Sequence, residues 1–178
     1  MKDIIFPNNN EISMIEMAVL LGIKELILVY TDLNVKKIKD ERIKLQYGYV
    51  IKENEYNKIN TLKKKFDYIF AVSSRKAFEN KNVNFIFDME LCYCKDSTHH
   101  RNSGLNQVLC KLAKKNKITL CINFNNLLNA KNKPLILGRI QQNIRLIKKY
   151  KNDFVIASFA SSIWEMRNPK DISVLKII

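Results

Sequence analysis

Ser97–Lys115, STHHRNSGLNQVLCKLAKK, carries both histidines of the chain, His99 and His100, side by side and followed by Arg101. Histidine binds metals and moves protons near neutral pH, and arginine grips phosphate. Adjacent side chains diverge on most backbones, so the pair is poorly placed to share one ion. A metal centre would have to recruit Asp3, Asp88, Glu90 or Asp96. Barrel metallohydrolases gather several His and Asp from different strand ends, and a third histidine is lacking here. A GxSxG elbow for serine hydrolysis is lacking too. Cys92, Cys94, Cys110 and Cys121 lie in or beside apolar runs and are expected to be buried free thiols. No metal site is expected. The simpler chemistry for the His99–His100 pair on a basic rim is contact with phosphate or bases.

Charge distribution favours that chemistry. The net charge is +14, yet residues 1–60 hold nine basic and nine acidic side chains, so the excess lies beyond them, where 22 basic residues face 8 acidic. Such asymmetry suggests nucleic acid or another anionic surface. A lysine-rich solvated surface would give the same count.

The elements that must position these residues alternate between strand and helix. Short apolar runs at Asp3–Phe6, Leu26–Tyr30, Tyr47–Lys52, Asp67–Val72, Asn84–Met89, Ile118–Phe124 and Asp153–Ser158 predict strands. Near-continuous apolar character fits a parallel sheet buried on both faces. Glu11–Leu21 predicts a helix with Ile12, Ile15, Val19 and Leu20 apolar and Gly22 as its stop. Leu105, Val108, Leu109, Leu112 and Ala113 predict another, capped by Asn102 or Ser103. Pro134 opens a helix with an Ile136, Ile140, Ile144, Ile147 stripe, and Pro169 opens a last one. The expectation is a single domain over residues 1–178: α/β and TIM-barrel-like, abbreviated to about seven visible strands. A doubly wound open sheet is the alternative, without a GxGxxG or GxxxxGK[ST] motif to support it.

In such a barrel the loops after the strands form the functional face. Three of them combine small hydroxyls with basic residues: Ser73, Ser74, Arg75 and Lys76; Ser97–Ser103; and Ser158, Ser161 and Ser162 with Arg167. This suits phosphate contacts at helix starts. Ser and Asn that cap helices beside solvated arginines would look alike. Apolar runs are too short for a membrane span, and MKDIIFPNNN lacks a signal-peptide core, so a cytoplasmic location is expected.

Two long segments resemble the archaeal ribonuclease P protein component 3 family: RNSGLNQVLCKLAKKNKITLCINFNNLL (Arg101–Leu128) and RIQQNIRLIKKYKNDFVIASFASSIWEMRNPKDISVL (Arg139–Leu175). MKDIIFP resembles the family's first strand with its early Asp3. The resemblance implies a barrel like that of the polymerase and histidinol phosphatase superfamily, without its metal ligands. It implies a non-catalytic subunit of the ribonucleoprotein that removes the 5′ leader from precursor tRNA. The RNA subunit carries the active site and its Mg²⁺, so no cofactor is expected on this chain. Implied partners are the ribonuclease P RNA, protein component 2, the other protein subunits and, indirectly, precursor tRNA, with no membrane. By the resemblance, Arg75, Arg101, Lys115, Arg139, Lys149 and Arg167 match recurrent basic positions expected to contact RNA. Lys76 and His100 of the loops and Arg145 of the NIRL segment join that set. Gly104, Leu105 and Asn106 match a structural loop-to-helix signature. Trp164, Pro169 and Asp171 match a motif expected to shape the rim around Arg167. Gln107 stands where the family often has His, and relatives run on beyond Ile178 through another strand and helix, leaving barrel closure open. The alternatives are a stand-alone metal-dependent barrel phosphoesterase and a protein-interaction module.

Overall fold

A computed structural model describes residues 2–91, 95–98 and 101–176. The seven predicted strands all form: β1 (Lys2–Ile5), β2 (Glu25–Tyr30), β3 (Lys44–Ile51), β4 (Tyr68–Val72), β5 (Phe85–Phe87), β6 (Thr119–Asn123) and β7 (Phe154–Ala157). They make one parallel sheet in chain order. Helices α1 (Glu11–Leu20), α2 (Ile59–Lys65), α3 (Arg75–Glu79), α4 (Gln107–Lys115), α5 (Phe124–Asn129), α6 (Lys133–Tyr150) and α7 (Pro169–Ser173) lie between and after the strands.

Strand residues alternate between two buried layers, which is why the runs are apolar throughout. Ile27, Val29, Phe70, Cys121 and Ala157 share the inner layer, while Leu26, Leu28, Ile69, Leu120 and Ile122 pack outward with the helices. Aromatic rings fill the inside: Phe70 stacks on Phe85 at 4.7 Å between centroids and Phe87 on Phe159 at 5.5 Å. Gly48 makes room for this, since a Cβ there would meet the Phe70 ring at 2.6 Å.

The sheet is nearly closed into a barrel. Phe6 N–H donates to the Ala160 carbonyl and Phe159 N–H to the Ile4 carbonyl, both at 2.8 Å, around a parallel bridge between Ile5 and Ala160. Asp3, buried in β1, accepts from Ser158 N–H at 2.7 Å and Ser158 Oγ–H at 2.6 Å. Among the described residues the first strand and the segment just after the last one thus meet at this seam.

Helix ends follow their sequence signals with two corrections. At the end of α1, Gly22 N–H donates to Val19 and Ile23 N–H to Ala18, so the stop is where Gly22 predicts it. Its buried stripe is Met14, Ile15 and Ala18, however, and Ile12 and Leu20 are exposed. At 100° per residue those two fall off the stripe. The cap of α4 is Asn106, whose side chain accepts from Leu109 N–H at 3.0 Å, rather than Asn102 or Ser103. Asn102 and Ser103 belong to the preceding loop, Leu105 enters the core ahead of the helix, and Val108 is exposed. Along α6 the predicted stripe of Ile136, Ile140, Ile144 and Ile147 is buried. After α7 a 3₁₀ turn covers Val174–Lys176.

Candidate nucleic-acid interface

The loop from β5 to α4 carries Arg101, and α6 holds that loop in place. Arg139 lies within the fold, 5% exposed, and its Nη2 and Nε donate to Asp96 Oδ1 at 2.8 and 3.1 Å. Its Nη1 donates to the Glu90 carbonyl at 3.2 Å. One turn on, Gln142 Nε2 donates to the Arg101 carbonyl and Asn143 Nδ2 to the Ser103 carbonyl, each at 2.9 Å. Asp96 also accepts from Asn102 N–H at 3.0 Å. Inside the same loop Gly104 has φ +78°, and a Cβ there would lie 1.9 Å from the Met89 carbonyl oxygen. Any side chain would be excluded by both strain and contact. Arg139, expected from the sequence at an RNA surface, is thus a buried residue whose guanidinium orders the loop from inside. An unpaired buried charge would cost too much to leave there.

Arg101 itself is outside. Its guanidinium covers Gly138, so closely that a Cβ on Gly138 would strike Nη1 at 2.2 Å. Gly138, Gln142 and Arg145 follow at helical spacing along one face of α6. Together with Asp96, Ser97, Thr98, Arg101 and Gln141 they line an open cleft of about 580 Å³. Two guanidinium groups, two amides and two hydroxyls can receive a phosphate-bearing backbone.

The other expected contacts are dispersed. Arg75 and Lys76 open α3 behind Ser74, whose Oγ accepts from Ala77 N–H at 3.3 Å. Both are exposed but paired, Arg75 with Glu79 at 2.8 Å and Lys76 with Glu53 at 3.6 Å. Lys115 and Lys149 sit in the last turns of α4 and α6, at the opposite end of the barrel from the strand-to-helix loops. There Lys114 Nζ donates to the Tyr150 carbonyl at 3.4 Å, joining the two helix ends. Lys114, Lys115, Lys117, Lys148, Lys149 and Lys151 make this a second basic surface, all six exposed. Their charges also favour the negative ends of both helices. Arg167 is exposed on the rim, and its Nη1 donates to the Trp164 and Met166 carbonyls at 2.6 and 2.8 Å. Pro169 begins α7, and Asp171 lies in its first turn. His99, His100, Cys92 and Cys94 lie outside the described residues, so nothing here places them. Cys110 and Cys121 are free and buried, as expected for both.

One polar cluster was not anticipated. At the ends of β5 and β6, Asn126 Nδ2 donates to Asp88 Oδ1 at 2.8 Å and to Glu90 Oε1 at 2.9 Å. Asn123 Nδ2 also donates to Asp88 Oδ1 at 2.9 Å. Glu90 is fully buried, its Oε2 has no hydrogen-bond partner among the described residues, and burial pushes its carboxyl up to about 7 against the Asn126 hydrogen bond. Burial likewise raises Asp88. The signal in the sequence was Asn123 and Asn126 three apart where a strand runs into a helix.

Beside this cluster, aromatic rings occupy the mouth of the barrel, where catalytic barrels gather their ligands. Phe6, Phe87 and Phe159, each at or just past the C-terminal end of a strand, close it with ring centroids 5.5 to 5.7 Å apart. Among the described residues no group of three or more His, Cys, Asp or Glu comes together to hold a metal ion.

The profile of the RNase P subunit p30 family matches residues 8–178. The chain belongs to the RNase P subunit p30 family. Among relatives, the ribonuclease P protein component 3 of Methanococcus vannielii is 30% identical over 151 residues, covering 78% of this chain and 62% of that protein. That of Methanosarcina acetivorans is 31% identical over 104 residues, covering 57% of this chain and 40% of that protein. The chain thus spans less than two thirds of the length of these p30-family relatives. Two solved structures share the fold. A chain of the cryo-EM structure of archaeal ribonuclease P with mature tRNA superposes with a TM-score of 0.80 at 20% identity, covering 98% of this chain and 82% of that one. Histidinol phosphate phosphatase from Lactococcus lactis, solved with zinc, L-histidinol and phosphate, gives 0.66 at 10% identity, covering 99% and 92%. This p30-family chain therefore has the TIM-barrel-like fold expected for it. Among its described residues no helix is long and apolar enough to cross a membrane.

Proposed function

We propose that this chain is a non-catalytic protein subunit of ribonuclease P, the ribonucleoprotein that removes the 5′ leader from precursor tRNA. The observation that carries the reading is the cleft that Arg101 and Arg145 line, beside a loop tied to α6 by the half-buried Arg139–Asp96 ion pair. It belongs to a chain whose family and named relatives are ribonuclease P proteins. The whole acts as one barrel domain over residues 1–178.

The cleft and the basic end of α4 and α6 neutralise phosphates on folded RNA, by backbone and shape contacts rather than base readout. Arg75, Lys76, Arg101, Lys115, Arg145, Lys149 and Arg167 carry these contacts, with His100 beside Arg101; Arg139 supports them from within. Mg²⁺ bound by the RNA subunit supplies water activation, and this chain holds no cofactor of its own. Its partners are the ribonuclease P RNA, protein component 2 and the other protein subunits, with precursor tRNA reached through the RNA, in the cytoplasm.

The test is precursor-tRNA cleavage with ribonuclease P RNA and protein component 2 at modest Mg²⁺, with and without this chain. Activity that needs all three supports the proposal. Cleavage by this chain alone, sensitive to chelator, would replace it with a metal-dependent phosphoesterase. No effect in any mixture would remove the subunit role.

A further inference from the structure

Trp164 is the single tryptophan of the sequence and is 79% exposed. A large aromatic left in water is unusual enough to need a reason. Nothing within the fold supplies one, since among the described residues no ring stacking or cation–π contact reaches it. The turn that presents it is nonetheless firmly built. Ile163–Glu165 form a 3₁₀ turn. Ser161 N–H and Oγ–H both donate to Glu165 Oε2 at 2.8 Å, and Asn129 Nδ2 donates to Glu165 Oε1 at 3.3 Å. Met166 is buried on the far side, and Ile163 packs against the core. The indole is therefore held outward by a backbone anchored at both ends.

The charges nearest it in the chain are Glu165 and Arg167. The Glu165 carboxylate is turned back onto Ser161 and Asn129. Arg167, exposed and three residues on, donates through Nη1 to the Trp164 and Met166 carbonyls, which ties its guanidinium to the turn that carries the ring. Lys170 and Asp171, farther on, offset each other. A rigid π-face with a cation next to it matches a nucleotide, with the base on the ring and the phosphate at the cation. An apolar protein surface would leave the cation unmatched.

We propose that Trp164 is a stacking platform for an unpaired nucleotide of RNA, with Arg167 holding that nucleotide's phosphate. This rests on the RNA-binding reading above and adds to it a site for single-stranded RNA, distinct from the backbone contacts of the Arg101–Arg145 cleft.

Because the chain has one tryptophan, its fluorescence reports this site alone. The full chain is titrated with a short oligouridylate, a blunt RNA duplex, ribonuclease P RNA and protein component 2. Stacking predicts quenching by oligouridylate and by ribonuclease P RNA, and little by the duplex. Trp164→Ala should weaken oligouridylate binding roughly five- to hundred-fold, the range for one stacked base, while Trp164→Phe retains most of it. Arg167→Ala should lower the salt slope of log affinity by about 0.7 on a single strand, with thermal melting unchanged. RNA binding without quenching, and with Trp164→Ala binding as well as wild type, would overturn the platform and leave the subunit reading standing. A blue shift on adding protein component 2, with no quenching by any RNA, would make Trp164 a protein contact instead. Failure of wild type to bind any RNA would overturn both readings.

Discussion

Asp3 and Ser158, 155 positions apart in sequence, are joined by two hydrogen bonds at 2.7 and 2.6 Å that tie the first strand of the barrel to the last. Burial raises the Asp3 pKa above its ordinary value, and the Ser158 hydroxyl and amide oppose that rise. Ser158→Ala should cost about 1–3 kcal/mol by stranding a buried acceptor. With the hydroxyl gone, the folded pKa of Asp3 rises further. The stability of the protonated form is present below its unfolded value of 3.8 and lost as pH rises through the folded value. Urea denaturation should therefore show a larger deficit for the variant at pH 7 than at pH 4. An equal deficit at both would mean that the bond does not depend on the carboxylate's charge.

Glu90 makes a clearer pH signature. Its carboxyl moves from 4.5 in the unfolded chain to about 7 in the fold. Stability from the neutral acid is fully present below about pH 4.5 and lost as pH rises through about 7, a change on the order of 3 kcal/mol. Glu90→Gln keeps the shape and cannot ionise, so it should flatten the stability profile between pH 5 and 8 and exceed wild type at pH 8. Parallel profiles for the two proteins would place the titration elsewhere.

Gly104→Ala should be among the most damaging single changes. It puts a methyl 1.9 Å from the Met89 carbonyl oxygen at a φ of +78°. A loss of at least about 2–3 kcal/mol is expected, with the melting temperature as readout. The loop that carries Arg101 should loosen first, which hydrogen exchange of residues 101–106 would report.

Arg139→Met and Arg145→Ala separate support from contact. Arg139→Met leaves Asp96 without its guanidinium and should cost about 2–4 kcal/mol of stability. Arg145→Ala, at an exposed helix position, should leave melting nearly unchanged. It should lower the salt slope of ribonuclease P RNA affinity by about 0.9 on a duplex-like site. Equal stability effects from the two would contradict their different burial.

Seven strands were legible because a strand buried on both faces is apolar at every position, and that pattern survives without neighbours. The stripe of α6 was legible for the same reason. The exposed Ile12 and Leu20 misled, because apolar character states a preference for burial while the rotation of the helix decides it. The cap of α4 was misplaced because Asn102, Ser103 and Asn106 are all good caps. Only the Gly104 turn against Met89 selects the third.

The candidate site divides along the same line. Basic residue types in the strand-to-helix loops were readable, since phosphate chemistry requires them wherever they stand. Which of them face outward was not. Arg139 and Arg145 are both arginines on α6, six residues apart, yet one is paired inside with Asp96 and the other lines an open cleft. That depends on where a distant loop lands on the helix. The local sequence determined the strands, the helices and the sign of the charge, because these follow from periodicity and composition. Tertiary structure alone decided the closure through Asp3 and Ser158, the burial of Glu90 and the exposure of Trp164, because each depends on partners brought together from far apart in the chain.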